Sequence, residues 1–420
     1  MSGLETRPAQ VWGAVRLVPL VRREPVTDFR LHRRLYEEPP EPAPGRHPAA
    51  RPDPYRTPDP ESDPYRAPSV VAVAPRRTYT AYVPHGFVAT WTRDGTPAAA
   101  FGTQLSDGTT DAPPTAMGLR FHRRTARREA KDRLRFLPQH LALEGYLALH
   151  FGGPTTAWEE WSARALAQGL SPRAEEAYTG AGVRGPADAL RVFEIHPGQC
   201  GLLLYTGDAL AAAFVVPHPE DYRALHPSLL QDLYGELVHH YATLMPAVPE
   251  FRARVDGAGI GSLAELRAAA REQEEEWAAF HDSVMAGGLL GAEYTWEEVY
   301  RAGRFTLSRF LPSFRRREEN HIGEAVTDER GRFVYLKTFR LGERQVRRGH
   351  LLAVLAAHDW HLGAAAAALG IDAAALGLRL ESAGFGHLLR QDVLDGYRAA
   401  RRRAGAGSGR RGGAGGTGGR

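Results

Sequence analysis

The sequence predicts an α+β fold: antiparallel strands in the N-terminal and central parts, packed with helices, and then a small all-α C-terminal unit. Three observations carry this. Between Leu190 and Met245 an alternating run (LRVFEI, 190–195) and two apolar runs, Cys200–Tyr205 and Leu210–Val216, are divided by turn signals and followed by apolar residues at helical spacing. Val11–Leu20 offers a further strand pattern near the N-terminus. From Gly349 to Leu389, by contrast, the apolar residues recur at helical spacing and are punctuated by glycines.

Composition sets the bounds. A chain of 420 residues with 43% hydrophobic and 24% charged residues is that of a globular protein of two or three domains. No apolar run reaches 18 residues, and MSGLETRPAQ lacks a charged segment followed by an apolar block. A cytoplasmic chain with no membrane partner is therefore expected. Cys200 is the only cysteine, which excludes an internal disulfide and a thiolate metal cluster, and its apolar strand makes it a small core residue. Lys131 and Lys337 are the only lysines among 53 Lys and Arg residues, which fits a high-GC coding bias. Arginine abundance and the net charge of +4 are thus weak grounds for a nucleic-acid partner, since much of the basic excess lies in the tail.

Taken in order, Val11–Leu20 reads as a strand. From 39 to 68 prolines recur every few residues, with Pro-Tyr-Arg at 54–56 and 64–66; this composition predicts a disordered insertion that folding does not need. The α+β domain then covers 1–38 and 69–285. Val70–Val73 and Thr78–Val83 read as strands, and Phe87–Thr92 with Ala98–Phe101 as a hairpin. Arg120–Arg135 is a basic helix with either a solvated or a phosphate-contacting face. Leu137–Phe151 and Thr156–Gln168 are further helices. After the central strands, Pro217-His218-Pro219 ends the last one, and Leu229, Leu230, Leu233, Leu237, Tyr241 and Leu244 mark one helix. Leu263–His281 is a long helix with an acidic stretch. Residues 286–340 are a connecting region: Trp296–Tyr300 begins a small helix, and Val326–Phe339 is a hairpin turning at Arg330-Gly331. An all-α unit over 341–400 and a disordered Gly/Arg tail over 401–420 complete the chain.

Two stretches resemble known families. Arg7-Pro8-Ala9-Gln10-Val11-Trp12-Gly13, Arg16-Leu17-Val18-Pro19-Leu20 and Phe193-Glu194-Ile195-His196-Pro197-Gly198-Gln199 resemble a bacterial domain family. It is named for association with ADP-ribosylglycohydrolases and rhodanese/phosphatase-superfamily proteins, and this is the second of two such domains. The resemblance spans roughly Leu4 to His281 and implies a stress- or ADP-ribose-linked setting, not a reaction. Ala365-Ala366, Leu369-Gly370-Ile371, Leu376, Leu380 and Gly384 resemble the Fis-type helix-turn-helix, with Asp372 as N-cap of the third helix. That resemblance implies a DNA partner. The third helix departs from the pattern, because Ala373, Ala374, Ala375 and Gly377 stand where base-reading side chains belong, leaving Arg379 as the main donor. Arg347, Arg348, Arg390 and Arg401 to Arg403 supply expected phosphate contacts. A three-helix unit that contacts other proteins is the competing reading.

Catalytic candidates are few. Glu194 and His196 flank a turn, as an acid/base pair or as its caps. Glu236 and His240 share a helical face, as a fragment of a metal site or as a solvated stripe. No Gly-rich phosphate loop, nucleophile elbow or histidine-zinc box occurs, so no cofactor and no metal is expected. Two functions follow: a non-enzymatic regulatory or adaptor protein with a weakly DNA-binding C-terminal unit, or an enzyme acting on ADP-ribose or a related nucleotide.

Overall fold

The computed structural model describes residues 3–31, 77–82, 87–91, 96–106, 116–119, 134–152, 155–169, 192–229, 233, 237–238, 240–248, 255–280 and 293–409. Three N-terminal strands come first: Leu4–Thr6 (β1), Gln10–Trp12 (β2) and Val15–Arg22 (β3). β1 and β2 pair antiparallel with the C-terminal and N-terminal halves of β3. The single strand expected over Val11–Leu20 is therefore a hairpin. It folds at Gly13, whose φ is +53° and where a Cβ would stand 2.2 Å from the Ala242 carbonyl oxygen. A side chain has neither the backbone angle nor the room.

Short strands follow: Arg30–Leu31 (β4), Thr78–Thr80 (β5), Phe87–Trp91 (β6), Pro97–Phe101 (β7), Gln104–Ser106 (β8), Ala116–Gly118 (β9) and Leu134–Phe136 (β10). The expected β6/β7 hairpin forms, within a sheet of order β10-β6-β7-β9, and β4, β5 and β8 make a smaller sheet. Helices Gln139–His150 (α1) and Thr155–Arg164 (α2, prolonged by a π-turn through Gly169) stand where their apolar spacing predicts. They touch closely because Gly145 lacks a side chain: a Cβ there would lie 2.4 Å from the Trp161 ring. The insertion at 39–68, the strand at Val70–Val73 and the basic run Arg123 to Arg128 lie outside the described residues.

In the centre, Gln199–Thr206 (β11) and Ala209–Val215 (β12) form the expected hairpin, and β11 also pairs with β3. Their unbroken apolar runs are explained by burial on both faces. Leu202, Leu204 and Phe214 enter the larger core, while Leu203, Tyr205 and Ala213 enter a second. The strand expected at 190–195 is absent over its described part. The Ile195 and His196 amides donate to the Gln199 Oε1, and the Tyr222 hydroxyl donates to the Phe193 carbonyl, so side chains satisfy what a ladder would have satisfied. The α-helices described next are Pro219–Ala224 (α3), His226–Leu229 (α4), His240–Leu244 (α5) and Leu263–Phe280 (α6). The one long helix expected through Leu229 and Leu244 falls partly outside the described residues, and its described parts at 226–229, 233, 237–238 and 240–244 are helical. Leu229 and Leu233 are fully buried and Tyr241 still packs against the core, but Leu244 is 68% exposed, so the apolar stripe leaves the core after Tyr241. Leu233→Ala is expected to cost about 2–5 kcal/mol, read from the denaturant midpoint; a midpoint that stays put would place Leu233 outside the load of the core.

Residues 293–340 are the largest departure from expectation. Tyr294–Ala302 (β13), Phe305–Pro312 (β14), His321–Thr327 (β15) and Phe333–Arg340 (β16) form a meander, and β16 pairs with β12. Trp296–Tyr300 is thus strand, not helix: its aromatic and β-branched residues suit a pleated surface, and β14 supplies the ladder. The region expected as a connection completes a nine-stranded antiparallel sheet of order β1-β3-β11-β12-β16-β15-β14-β13, with β2 on β3. The hairpin turn at Arg330-Gly331 is where the sequence predicts it, held by Asp328, whose Oδ1 accepts from the Arg330 and Arg332 amides.

The C-terminal helices are Glu343–Ala357 (α7), Leu362–Ala368 (α8), Ala373–Ser382 (α9) and Gln391–Gly409 (α10). Gly370, at φ +65°, ends α8: its amide donates to the Ala367 carbonyl and that of Ile371 to Ala366. Asp372 caps α9, its Oδ1 accepting from the Ala375 amide at 2.6 Å. α10 continues to Gly409, past the start of the expected disordered tail at 401, while 410–420 lie outside the described residues.

Candidate functional site

The sheet carries a row of alternating charges. Glu297 of β13, Arg309 of β14, Glu324 of β15 and Lys337 of β16 are successive cross-strand neighbours. The turn centred on Arg330-Gly331 puts Glu324 opposite Lys337, and antiparallel pairing across β14 and β13 extends the row. The side chains grade from solvent to core, being 54%, 13%, 0% and 1% exposed along the row.

Its inner end is fully enclosed. Lys337 Nζ lies 3.1 Å from Glu324 Oε2 and donates to the Tyr82 carbonyl at 3.4 Å. Tyr146 of α1 donates its hydroxyl to Glu324 Oε1 at 2.6 Å, and the Thr103 amide donates to Oε2 at 2.7 Å. Arg309 stands 3.5 Å from Oε1 and over the Tyr146 ring. Gly102, at φ +71°, makes room: a Cβ there would come within 2.5 Å of Glu324 Oε1. Burial opposes the charged carboxylate, but Lys337, Arg309, the Tyr146 hydroxyl and the Thr103 amide outweigh it and hold Glu324 below its ordinary value. Burial also lowers Lys337, more than Glu324 raises it, and Arg309 adds to the lowering. Chemically the cluster is a satisfied charge lock, joining the large sheet to α1 and to the strands around Thr103. None of its four charged residues is among the candidates that motif and spacing offer. The signal was there: a lone lysine in an apolar strand, placed by a legible turn opposite a glutamate.

A second set of charges lines a small cleft between α1 and α2 on one side and the C-terminal helices on the other. Glu144 of α1 receives Arg164 at 2.9 Å and Arg348 of α7 at 3.6 Å, and Arg348 lies 4.4 Å from the Phe385 ring centroid. His387 Nδ1 is 2.6 Å from Glu160 Oε2, while burial lowers the His387 pKa. Below the cleft, Gly349 takes the Phe314 ring, which a Cβ would approach to 2.2 Å. The C-terminal helices are therefore seated on the α+β body, and Leu352, Leu355, Leu376 and Leu380 belong to its main core.

The residues singled out in the sequence fare differently. Glu194 accepts from Arg223 at 3.0 Å, and His196 caps the turn by accepting from the Gly198 amide at 3.0 Å, so the two serve local structure. Burial is the main cause of the lowered His196 pKa. Glu236 lies outside the described residues, and His240 is exposed with its ring against Tyr241. Among the described residues no group of three or more His, Cys, Asp or Glu could hold a metal ion. Arg348 is turned inward, at 18% exposure, and is withdrawn from the expected phosphate-contacting set. Arg347 pairs with Glu343 and Arg390 with Asp392, both on the surface, while Arg379 and Arg401 are exposed.

No curated protein and no solved structure matches the chain. A family model, ARPP-2, matches residues 1–303, a span that contains both resembling N-terminal and central strings and ends at the β13/β14 turn. Covering well over half of the sequence, that match assigns the chain to the ARPP-2 family.

Proposed function

We propose that the chain is a non-enzymatic regulatory or adaptor protein, in which an ARPP-2 body carries a helix-turn-helix-like C-terminal unit that touches DNA mainly through phosphates. The setting implied by the family's association is ADP-ribose-linked or stress-related. The observation that carries this reading is the exposed face of α9. Asp372, Arg379 and Ser382 are its exposed polar residues, Asp372 is spent on capping, and the Ser382 hydroxyl bonds the Arg379 carbonyl. Gly377 is not on that face: it is buried, and a Cβ there would lie 2.5 Å from the Tyr397 ring of α10. One arginine offers little base readout. Arg347, Arg390 and Arg401 to Arg403 can meet phosphates, since exposed ion pairs are worth little and exchange readily.

The alternative, an enzyme acting on ADP-ribose or a related nucleotide, gains no support from Glu194 and His196, which are occupied by Arg223 and by turn capping. Among the described residues no single helix is long and apolar enough to cross a membrane. The test is a salt titration of the full chain against random and defined duplexes. Expected are weak binding at low salt, a steep fall as salt rises, and near-equal affinity for all sequences. Arg379→Ala should flatten any residual preference. Tight binding to one duplex at physiological salt would overturn the phosphate reading, and no binding at low salt would leave protein contacts as the role of the unit.

A further inference from the structure

Helix α6, Leu263–Phe280, begins with large apolar side chains exposed on its surface. Leu263 and Leu266 are 63% and 43% exposed, and neither joins a hydrophobic cluster. In proteins most of a helix's stability comes from tertiary packing of an amphipathic face and not from propensity. Beyond Glu265 in the first turn, its charges run against its own dipole: Arg267 and Arg271 stand in the first half, Glu272, Glu274, Glu275 and Glu276 in the second, and the last turn has no base. Both features call for a partner that covers the face and reverses the charge order.

The repeat on the helix says which partner. Positions 263, 266, 270, 273, 277 and 280 are spaced alternately by three and four, the a and d sites of a heptad seam, occupied in turn by Leu, Leu, Ala, Gln, Trp and Phe. In an antiparallel pair of such helices, with the two-fold axis between 271 and 272, position 263 lies opposite 280, 266 opposite 277, and 270 opposite 273. Large residues then meet large ones at the ends, and alanine meets glutamine in the middle. The flanking e sites are Arg267 and Glu274, which meet each other across the axis, once on each side. The basic half of each helix thereby lies on the acidic half of the other. A parallel pair would set Arg267 against serine 262 and Glu274 against alanine 269, with no complementarity.

We propose that α6 is a self-association helix, and that a second copy of this chain docks antiparallel along residues 263–280 to make a homodimer. The test measures the mass of the full-length protein by sedimentation over a range of concentrations. Wild type should pass from monomer to dimer. Leu266→Glu should stay monomeric and keep the thermal transition that wild type shows when diluted to monomer, because the side chain it replaces is exposed. Arg267→Glu should weaken dimerisation roughly tenfold, since two attractive pairs become repulsive. Adding Glu274→Arg to it should restore wild-type affinity. A wild-type chain that is monomeric at every soluble concentration would overturn the proposal, leaving the face to a different protein. A dimer that survives Leu266→Glu would overturn it by placing the interface elsewhere. Failure of the second charge change to restore what the first removed would overturn the antiparallel register.

Discussion

Glu324→Gln is expected to destabilise the protein by about 3–5 kcal/mol, the cost of leaving a buried cation without its counter-ion. Lys337 is 1% exposed, and a neutral amide at 324 would remove its carboxylate partner while leaving Arg309 as a like-charged neighbour. Lys337→Met should cost less, because Arg309, the Tyr146 hydroxyl and the Thr103 amide still hold the Glu324 carboxylate. The double variant Glu324→Gln/Lys337→Met should recover part of the loss, since replacing both charges removes the desolvation of an unmatched ion. Denaturant midpoints of the four proteins form a double-mutant cycle that reads the coupling. A Glu324→Gln shift below about 1 kcal/mol would mean that water or another group compensates Lys337. Equal costs for the two single variants would mean that Arg309 does not support the carboxylate.

A fragment ending at residue 303, the end of the family match, is expected to show no cooperative thermal transition. β13 lies inside the match but pairs with β14, and β12 pairs with β16, both supplied by residues beyond it. Truncation would strand β13, strip β12 of an interior neighbour, and remove Arg309, Glu324 and Lys337 from Tyr146 and Thr103. Extending the fragment to residue 342 should restore the sheet. Its transition should lie below that of the full chain, because Arg348 and the ring-filling approach at Gly349 are still missing. Circular dichroism melts of the three lengths decide it. A cooperative transition for 1–303 would show that the sheet divides at β13, against the pairing described.

The ARPP-2 match extends the N-terminal and central resemblance, from about 4–281 to 1–303, without attaching chemistry to it. Its end within a continuous sheet means that the structural unit is larger than the family segment. The alternating row of Glu297, Arg309, Glu324 and Lys337 crosses that end, with one member before it and three after.

What the sequence by itself determined was local. Turn chemistry at Thr206-Gly207-Asp208 and Arg330-Gly331, apolar runs between the turns, and the caps Gly370 and Asp372 specify hairpins and helix ends within a few residues, so β11/β12, β15/β16 and α8/α9 were legible. What only the tertiary structure decided was which strands meet across long separations, and which face of an element is covered. Nothing near Trp296 announces that β14 will supply a ladder, and helical spacing there was as good a fit as strand. Arg348 reads as a surface arginine until the fold brings Glu144 of α1 and the Phe385 ring beside it. Glu324 and Lys337 are paired by a local turn, yet their enclosure comes from Tyr146, Tyr82 and Thr103, more than 170 residues away from Glu324. The reason is physical: hydrogen bonds within a turn depend on neighbouring dihedrals, whereas burial and charge compensation depend on groups that only the folded chain brings together.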